Sequence, residues 1–252
     1  MHEVMKKILF ILLGITLLSF TTFQKEQICI YMIGDSTMAN KPVNDNPERG
    51  WGMLFNRFFN DKVKVENHAV NGRSTKSFID EGRWDSIMLK LKKGDYVFIQ
   101  FGHNDEKKES PKVYAEAHTA YKQNLARFVS DCRAKGAIPI LMTPVMRRRF
   151  DDKGNFFDTH GEYPDVVREL AKEQNVLFID MHKKTEKLIK EYGPEGSKKL
   201  FLYIKPGEYQ SLPNGRVDDT HSSELGAIKN GELAVEGIKE LGIDLKKYLK
   251  NE

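Results

Sequence analysis

Two cysteines in 252 residues are too few for a disulfide framework or a Cys-rich zinc site. Neither sign of charge dominates, since 40 Lys and Arg face 36 Asp and Glu, a formal charge of +4. The one short basic run, Arg147-Arg148-Arg149, falls well short of the clustered basic face of a nucleic-acid binder. With 9 Pro and 19 Gly the chain is neither collagen-like nor of low complexity. Gly-x-Ser-x-Gly is missing, which argues against the nucleophile elbow of the α/β-hydrolases. The P-loop and Gly-x-Gly-x-x-Gly are missing too, which disfavours a phosphate-cradling cofactor site. Without His-Glu-x-x-His or a similar ligand spacing, no catalytic metal is expected, and no cofactor.

What is present is globular. Apolar residues make up 40% and charged residues 30%. A chain of this length buries roughly 70–75% of its unfolded surface, enough for a substantial core. The N-terminus differs from the rest. Lys6-Lys7 precede an apolar run from Ile8 to Phe20, and small and polar residues follow it. That order describes a secretory leader over residues 1–23. The run is too short for a membrane span, which needs about 20 apolar residues. The expected mature protein is therefore one domain over 24–252, secreted or periplasmic, with no membrane attachment after leader removal. Cys29 falls in an expected buried strand and Cys132 in an expected helix, and both read as free thiols.

After residue 27, strand and helix signals alternate. Short apolar runs at 28–33, 63–68, 96–101, 138–142 and 176–180 read as strands. Helices are expected at 51–59, 78–91, about 121–135, 164–174, 181–192 and 222–241. Tyr121, Leu125, Phe128, Val129 and Cys132 mark one apolar helical face. The stretch 193–220 reads as irregular, and 144–163 as a loop long enough to suspect function. The expected architecture is an α/β three-layer sandwich. Its five-stranded parallel sheet, in the flavodoxin-like order 2-1-3-4-5, carries helices on both faces.

In such sheets ligands bind beyond the carboxyl ends of the strands, where the strand order reverses. That brings together Gly34-Asp35-Ser36-Thr37 after strand 1, Asn67 to Ser74 after strand 2, and Gly102-His103-Asn104-Asp105 after strand 3. Asp218-Asp219-Thr220-His221 lies just before the last helix. These four segments resemble, in order, the four signature blocks of the GDSL or SGNH hydrolase superfamily. The resemblance implies Ser36 as nucleophile, His221 as its base and Asp218 as the group that orients the imidazole. It also implies an oxyanion hole made by the backbone N–H groups of Ser36 and Gly72 and the side-chain amide of Asn104. The chemistry has a physical basis independent of the family. A serine hydroxyl needs a base, a carboxylate fixes the imidazole tautomer, and the developing oxyanion needs preplaced donors. Asp35 and Asp219 read as structural, and His68 and His103 as loop-holding hydrogen-bonders.

Local segments point to the substrate. Phe78 to Trp84, Phe101 to Asp105, Thr143 to Phe150, Asp158 to Pro164 and Lys205 to Tyr209 resemble rhamnogalacturonan acetylesterases. The resemblance implies removal of O-acetyl groups from a pectic polysaccharide, with an acetylated polysaccharide or oligosaccharide as the partner. Arg forks match carboxylates well, so Arg147, Arg148 and Arg149 are candidate contacts to galacturonate. Tyr209 and Phe156 are candidate aromatic contacts. The alternatives are an SGNH esterase acting on another acetylated glycan or a lipid ester, and a noncatalytic glycan-binding protein on the same scaffold.

Overall fold

A computed structural model describes residues 27–250. The expected leader lies outside them. Five parallel strands form the main sheet: β1 (Ile28–Gly34), β2 (Val63–Asn67), β3 (Tyr96–Gln100), β4 (Ile138–Met142) and β5 (Leu177–Ile179). Their order is β2-β1-β3-β4-β5, as expected. Successive side chains of a strand face opposite sides, and here both sides are apolar. Tyr31, Ile33, Val97 and Ile99 enter one core with Trp84 and Phe128. Ile30, Met32, Tyr96 and Phe98 enter the other with Trp51, Phe55 and Ile238.

The first core is covered by α1 (Thr75–Asp80), α2 (Arg83–Met88), α3 (Lys122–Ala134) and α4 (Tyr163–Glu173). The second is covered by a 3-10 helix (Trp51–Phe58) and α6 (Glu224–Leu241). Between these, α5 (Met181–Gly196) follows β5. The single helix expected at 78–91 is two short ones, because Gly82 turns left-handed between them. Cys29 and Cys132 are free thiols.

The expectation of irregular chain over 193–220 is overturned in part. Strands β6 (Phe201–Ile204) and β7 (Arg216–Ser222) form a separate antiparallel pair. Phe201 pairs with Ser222 and Leu202 with Asp218, so one step on β6 faces four on β7. Asp219, Thr220 and His221 therefore bulge out. Polar β7 side chains and a long connecting loop hide this pair from an apolar-period reading.

Candidate active site

The site lies at the reversal of strand order, beyond the ends of β1, β2 and β3. Ser36 follows β1 in a turn held by Asp35. The Asp35 carbonyl accepts from the N–H of Met38 at 3.3 Å and of Ala39 at 3.1 Å. Its carboxylate Oδ1 accepts from Thr37 N–H at 2.9 Å and Thr37 Oγ1 at 2.8 Å. The loop after β2 is stitched alongside by Val70 N–H donating to the Gly34 carbonyl at 3.1 Å. Gly72 sits in that loop at φ +75°, a conformation glycine adopts without strain. The loop after β3 joins them. Asn104 Nδ2 donates to the Arg73 carbonyl at 3.0 Å, and Thr75 N–H donates to Asp105 Oδ1 at 2.9 Å.

The β7 bulge supplies the rest. Asp218 Oδ1 accepts from the N–H groups of Thr220 at 2.8 Å and His221 at 3.0 Å, which curls the bulge back on itself. His221 Nδ1 then lies 2.8 Å from Asp218 Oδ2, and its Nε2 lies 2.9 Å from Ser36 Oγ. Burial pushes the Asp218 carboxyl up, but the His221 ring and the backbone N–H donors outweigh it and hold it far below the usual range. Asp218 is thus an ionised acceptor, so a neutral imidazole carries its proton on Nδ1 and offers Nε2 to the Ser36 hydroxyl. Among the described residues no protein group accepts from the backbone N–H of Ser36 or Gly72. Asn104 has a second amide hydrogen beyond the one given to Arg73. The arrangement can deprotonate a hydroxyl and receive negative charge beside it.

A cavity of about 480 Å³ opens over Ser36. Asn71, Gly72, His103, Asn104, Thr220 and His221 line it, with Glu48, Lys107, Arg147 and Arg216 as its charged residues. None of these side chains is aliphatic.

The expected glycan contacts divide. Arg147 lines the cavity. It pairs with Glu106, and its Nη1 donates to Thr159 Oγ1 at 3.1 Å. Arg148 is a correction: it is buried, and every nitrogen of its guanidinium serves the protein. It donates to Ser197 Oγ at 3.1 Å, Tyr203 OH at 2.7 Å, Asp219 Oδ1 at 2.9 Å and the Pro194 carbonyl. Arg149 is half-exposed, pairs with Asp219 at 3.1 Å and does not line the cavity. Neighbouring residues on an extended loop point in different directions, so a run of three arginines cannot face one ligand. Tyr209 also lies off the cavity, in a loop whose Gln210 N–H is tied to Asp45 at 2.9 Å. Phe156 packs on Phe150.

Asp219 joins Arg148, Arg149 and Tyr203 rather than His221. His68, just past β2, bonds locally to Glu66 of that strand at 3.1 Å. His103 departs from expectation, since both ring nitrogens are buried without a hydrogen bond. Its Nδ1 faces Asp35 Oδ2 at 3.4 Å, and its ring meets His160 edge-on at 4.6 Å. Burial lowers the His103 pKa to about 4.

Sequence reasoning missed Arg216, Glu48, Lys41 and Lys107. Arg216 donates to Asp218 Oδ2 and lies 3.2 Å from Glu48, which also pairs with the buried Lys41. The signal for Arg216 was its place two residues before Asp218, on the same face once this segment is a strand. Among the described residues no three His, Cys, Asp or Glu side chains come together to hold a metal ion.

Residues 32–200 match the GDSL-like lipase/acylhydrolase family model. The chain belongs to that family. A GDSL-like hydrolase of this kind is a carboxylic ester hydrolase. This family member is 45% identical over 225 residues to rhamnogalacturonan acetylesterase RhgT of Bacillus subtilis, covering 89% of this chain and 95% of that one. It is 35% identical to the probable rhamnogalacturonan acetylesterase YesY of the same organism, over 88% of this chain and 98% of that one. The crystal structure of Bacillus subtilis protein YxiM has the same fold, with a TM-score of 0.73 at 27% identity. That match covers 86% of this chain and 58% of the other.

Proposed function

We propose that this chain removes O-acetyl groups from rhamnogalacturonan through an acetyl-enzyme on Ser36, and that it works outside the cytoplasm once residues 1–23 are cleaved. The observation that carries the chemistry is the aligned series Asp218, His221 and Ser36, at 2.8 and 2.9 Å, beside three unengaged N–H donors. The substrate assignment rests on the 45% identity to RhgT along nearly the whole chain. The polar cavity over Ser36 supports a short acyl group on a hydrophilic alcohol over a long aliphatic chain.

In this reading Ser36 Oγ attacks the acetyl carbonyl carbon while its proton moves to His221 Nε2. The carbonyl oxygen takes the charge and receives hydrogen bonds from Ser36 N–H, Gly72 N–H and Asn104 Nδ2. Collapse breaks the bond to the sugar oxygen, which leaves with the proton from His221. Water then attacks acetyl-Ser36, again giving a proton to His221. Acetate departs, and Ser36 regains its proton.

The test is acetate release from acetylated rhamnogalacturonan, acetylated xylan and p-nitrophenyl acetate, with Ser36→Ala alongside. Release from rhamnogalacturonan should exceed that from xylan, and Ser36→Ala should lower every rate by about 10³-fold or more. Equal or better use of xylan removes the pectin assignment. Activity surviving in Ser36→Ala removes the nucleophile.

A further inference from the structure

Three cations line the cavity over Ser36, and a fourth, Lys41, stands behind Glu48. Three of the four have carboxylate partners. Arg147 pairs with Glu106, Arg216 with Asp218 and Glu48, and Lys41 with Glu48. Lys107 differs. It is exposed, and among the described residues it has no carboxylate partner. Its Nζ donates to Asn104 Oδ1 at 2.8 Å. An ammonium has three donors, so two remain for a ligand in the cavity.

That bond places the Lys107 ammonium beside Asn104. Asn104 accepts from Lys107 through Oδ1 and donates to the Arg73 carbonyl through Nδ2. The spare Nδ2 hydrogen is the one assigned above to the acetyl oxyanion. The Lys107 charge therefore stands one amide group away from the reacting carbonyl. A sugar chain with an acetyl ester at Ser36 and a carboxylate about one ring away meets both groups. A neutral chain leaves the ammonium without a counter-charge.

We propose that Lys107 is a carboxylate-reading subsite, and that the substrate is an anionic glycan with a uronate carboxylate within about one ring of the acetylated hydroxyl. This assignment rests on the acetylesterase reading above. It replaces the arginine run as the acidic-sugar contact, because those guanidinium groups are already partnered. An exposed ion pair is weakened by salt, so the preference is ionic-strength dependent.

The experiment compares kcat/KM on acetylated rhamnogalacturonan oligosaccharides with kcat/KM on the same oligosaccharides after carboxyl reduction. It uses the wild type, Lys107→Gln and Lys107→Arg at low and high salt. Gln keeps a donor for Asn104 and removes the charge. The ratio of the two substrates cancels any loss that arises through Asn104. The wild-type ratio should be roughly tenfold at low salt, shrink at high salt, and fall to near one in Lys107→Gln through KM, while Lys107→Arg retains most of it. A wild type indifferent to carboxyl reduction, or a Lys107→Gln enzyme that keeps the ratio, overturns the subsite. If the wild type favours rhamnogalacturonan over xylan but the ratio survives in Lys107→Gln, only the subsite falls. If xylan is the better substrate, both readings fall together.

Discussion

Asp105 is fully buried beneath the site, with Oδ1 held by the Thr75 N–H and hydroxyl and Oδ2 without a partner. Burial raises its pKa to about 8 from an ordinary 3.8. The folded state therefore binds a proton that the unfolded chain releases. The stability this confers is full below about pH 4 and is lost as pH rises through about 8. His103, lowered to about 4 from 6.5, acts in the opposite sense: its contribution is full above 6.5 and lost as pH falls toward 4. Asp105→Asn keeps the acceptor for Thr75 and cannot titrate. Its melting temperature relative to wild type should therefore rise steadily from pH 4 to pH 8. A difference flat across that range refutes a protonated Asp105. Neither residue's role was visible in sequence, because the desolvation that shifts them exists only after the loops close over them.

At the level of elements, His221 depends on how β7 is held, and β7 depends on the 3-10 turn Ser197–Leu200 and on α6. The Ser223 side chain caps α6 by accepting from Gly226 N–H at 3.2 Å, and Ser223 N–H donates to the Leu200 carbonyl at 3.1 Å. At Gly226 the helix comes so close that an added Cβ would sit 1.9 Å from the Leu200 oxygen. Gly226→Ala should thus push α6 off this turn. The expected cost is about 1–3 kcal/mol in chemical denaturation, with a fall in kcat as the β7 bulge shifts. Unchanged denaturation would mean that the contact relaxes freely. The loop with Gly72 and the turn with Ser36 were legible because their Gly, Asp, Ser and Asn residues sit where apolar runs stop. The β6–β7 pair was not, since β6 is a short apolar run but its partner β7 is polar and lies beyond a long loop.

Across the whole molecule, Arg148 joins parts far apart in sequence. Its guanidinium bonds the end of α5, the 3-10 turn, β6 and β7, and lies over the rings of Phe150 at 5.3 Å and Tyr203 at 5.0 Å. Removing one partner of a largely buried ion pair leaves the other uncompensated. Arg148→Met should therefore cost about 3 kcal/mol in denaturation, whereas Arg149→Ala, at a half-exposed pair, should cost under about 1 kcal/mol. Similar losses in the two variants would refute this structural role for Arg148.

The parallel sheet was legible in the amino-acid sequence. Apolar runs long enough for one strand, separated by helical periods, imply parallel strands joined by right-handed crossovers. This leaves a handful of strand orders, among which the motifs after strands 1, 2 and 3 favour 2-1-3-4-5. The resemblance of short motifs to the family's signature blocks also pointed to Ser36, Gly72, Asn104, Asp218 and His221, and the fold brings His221 within hydrogen-bond distance of both Ser36 and Asp218. Tertiary structure alone decided which charges face the cavity. Arg147, Arg148 and Arg149 are equivalent as letters, yet the chain turns one toward the cavity, buries one and leaves one at a half-exposed pair. Lys107, an ordinary surface lysine in sequence, becomes distinctive because every other cation at the site has a carboxylate partner, and those partners arrive from distant segments of the chain. Charge pairing is a property of distances in space, and sequence spacing does not encode it.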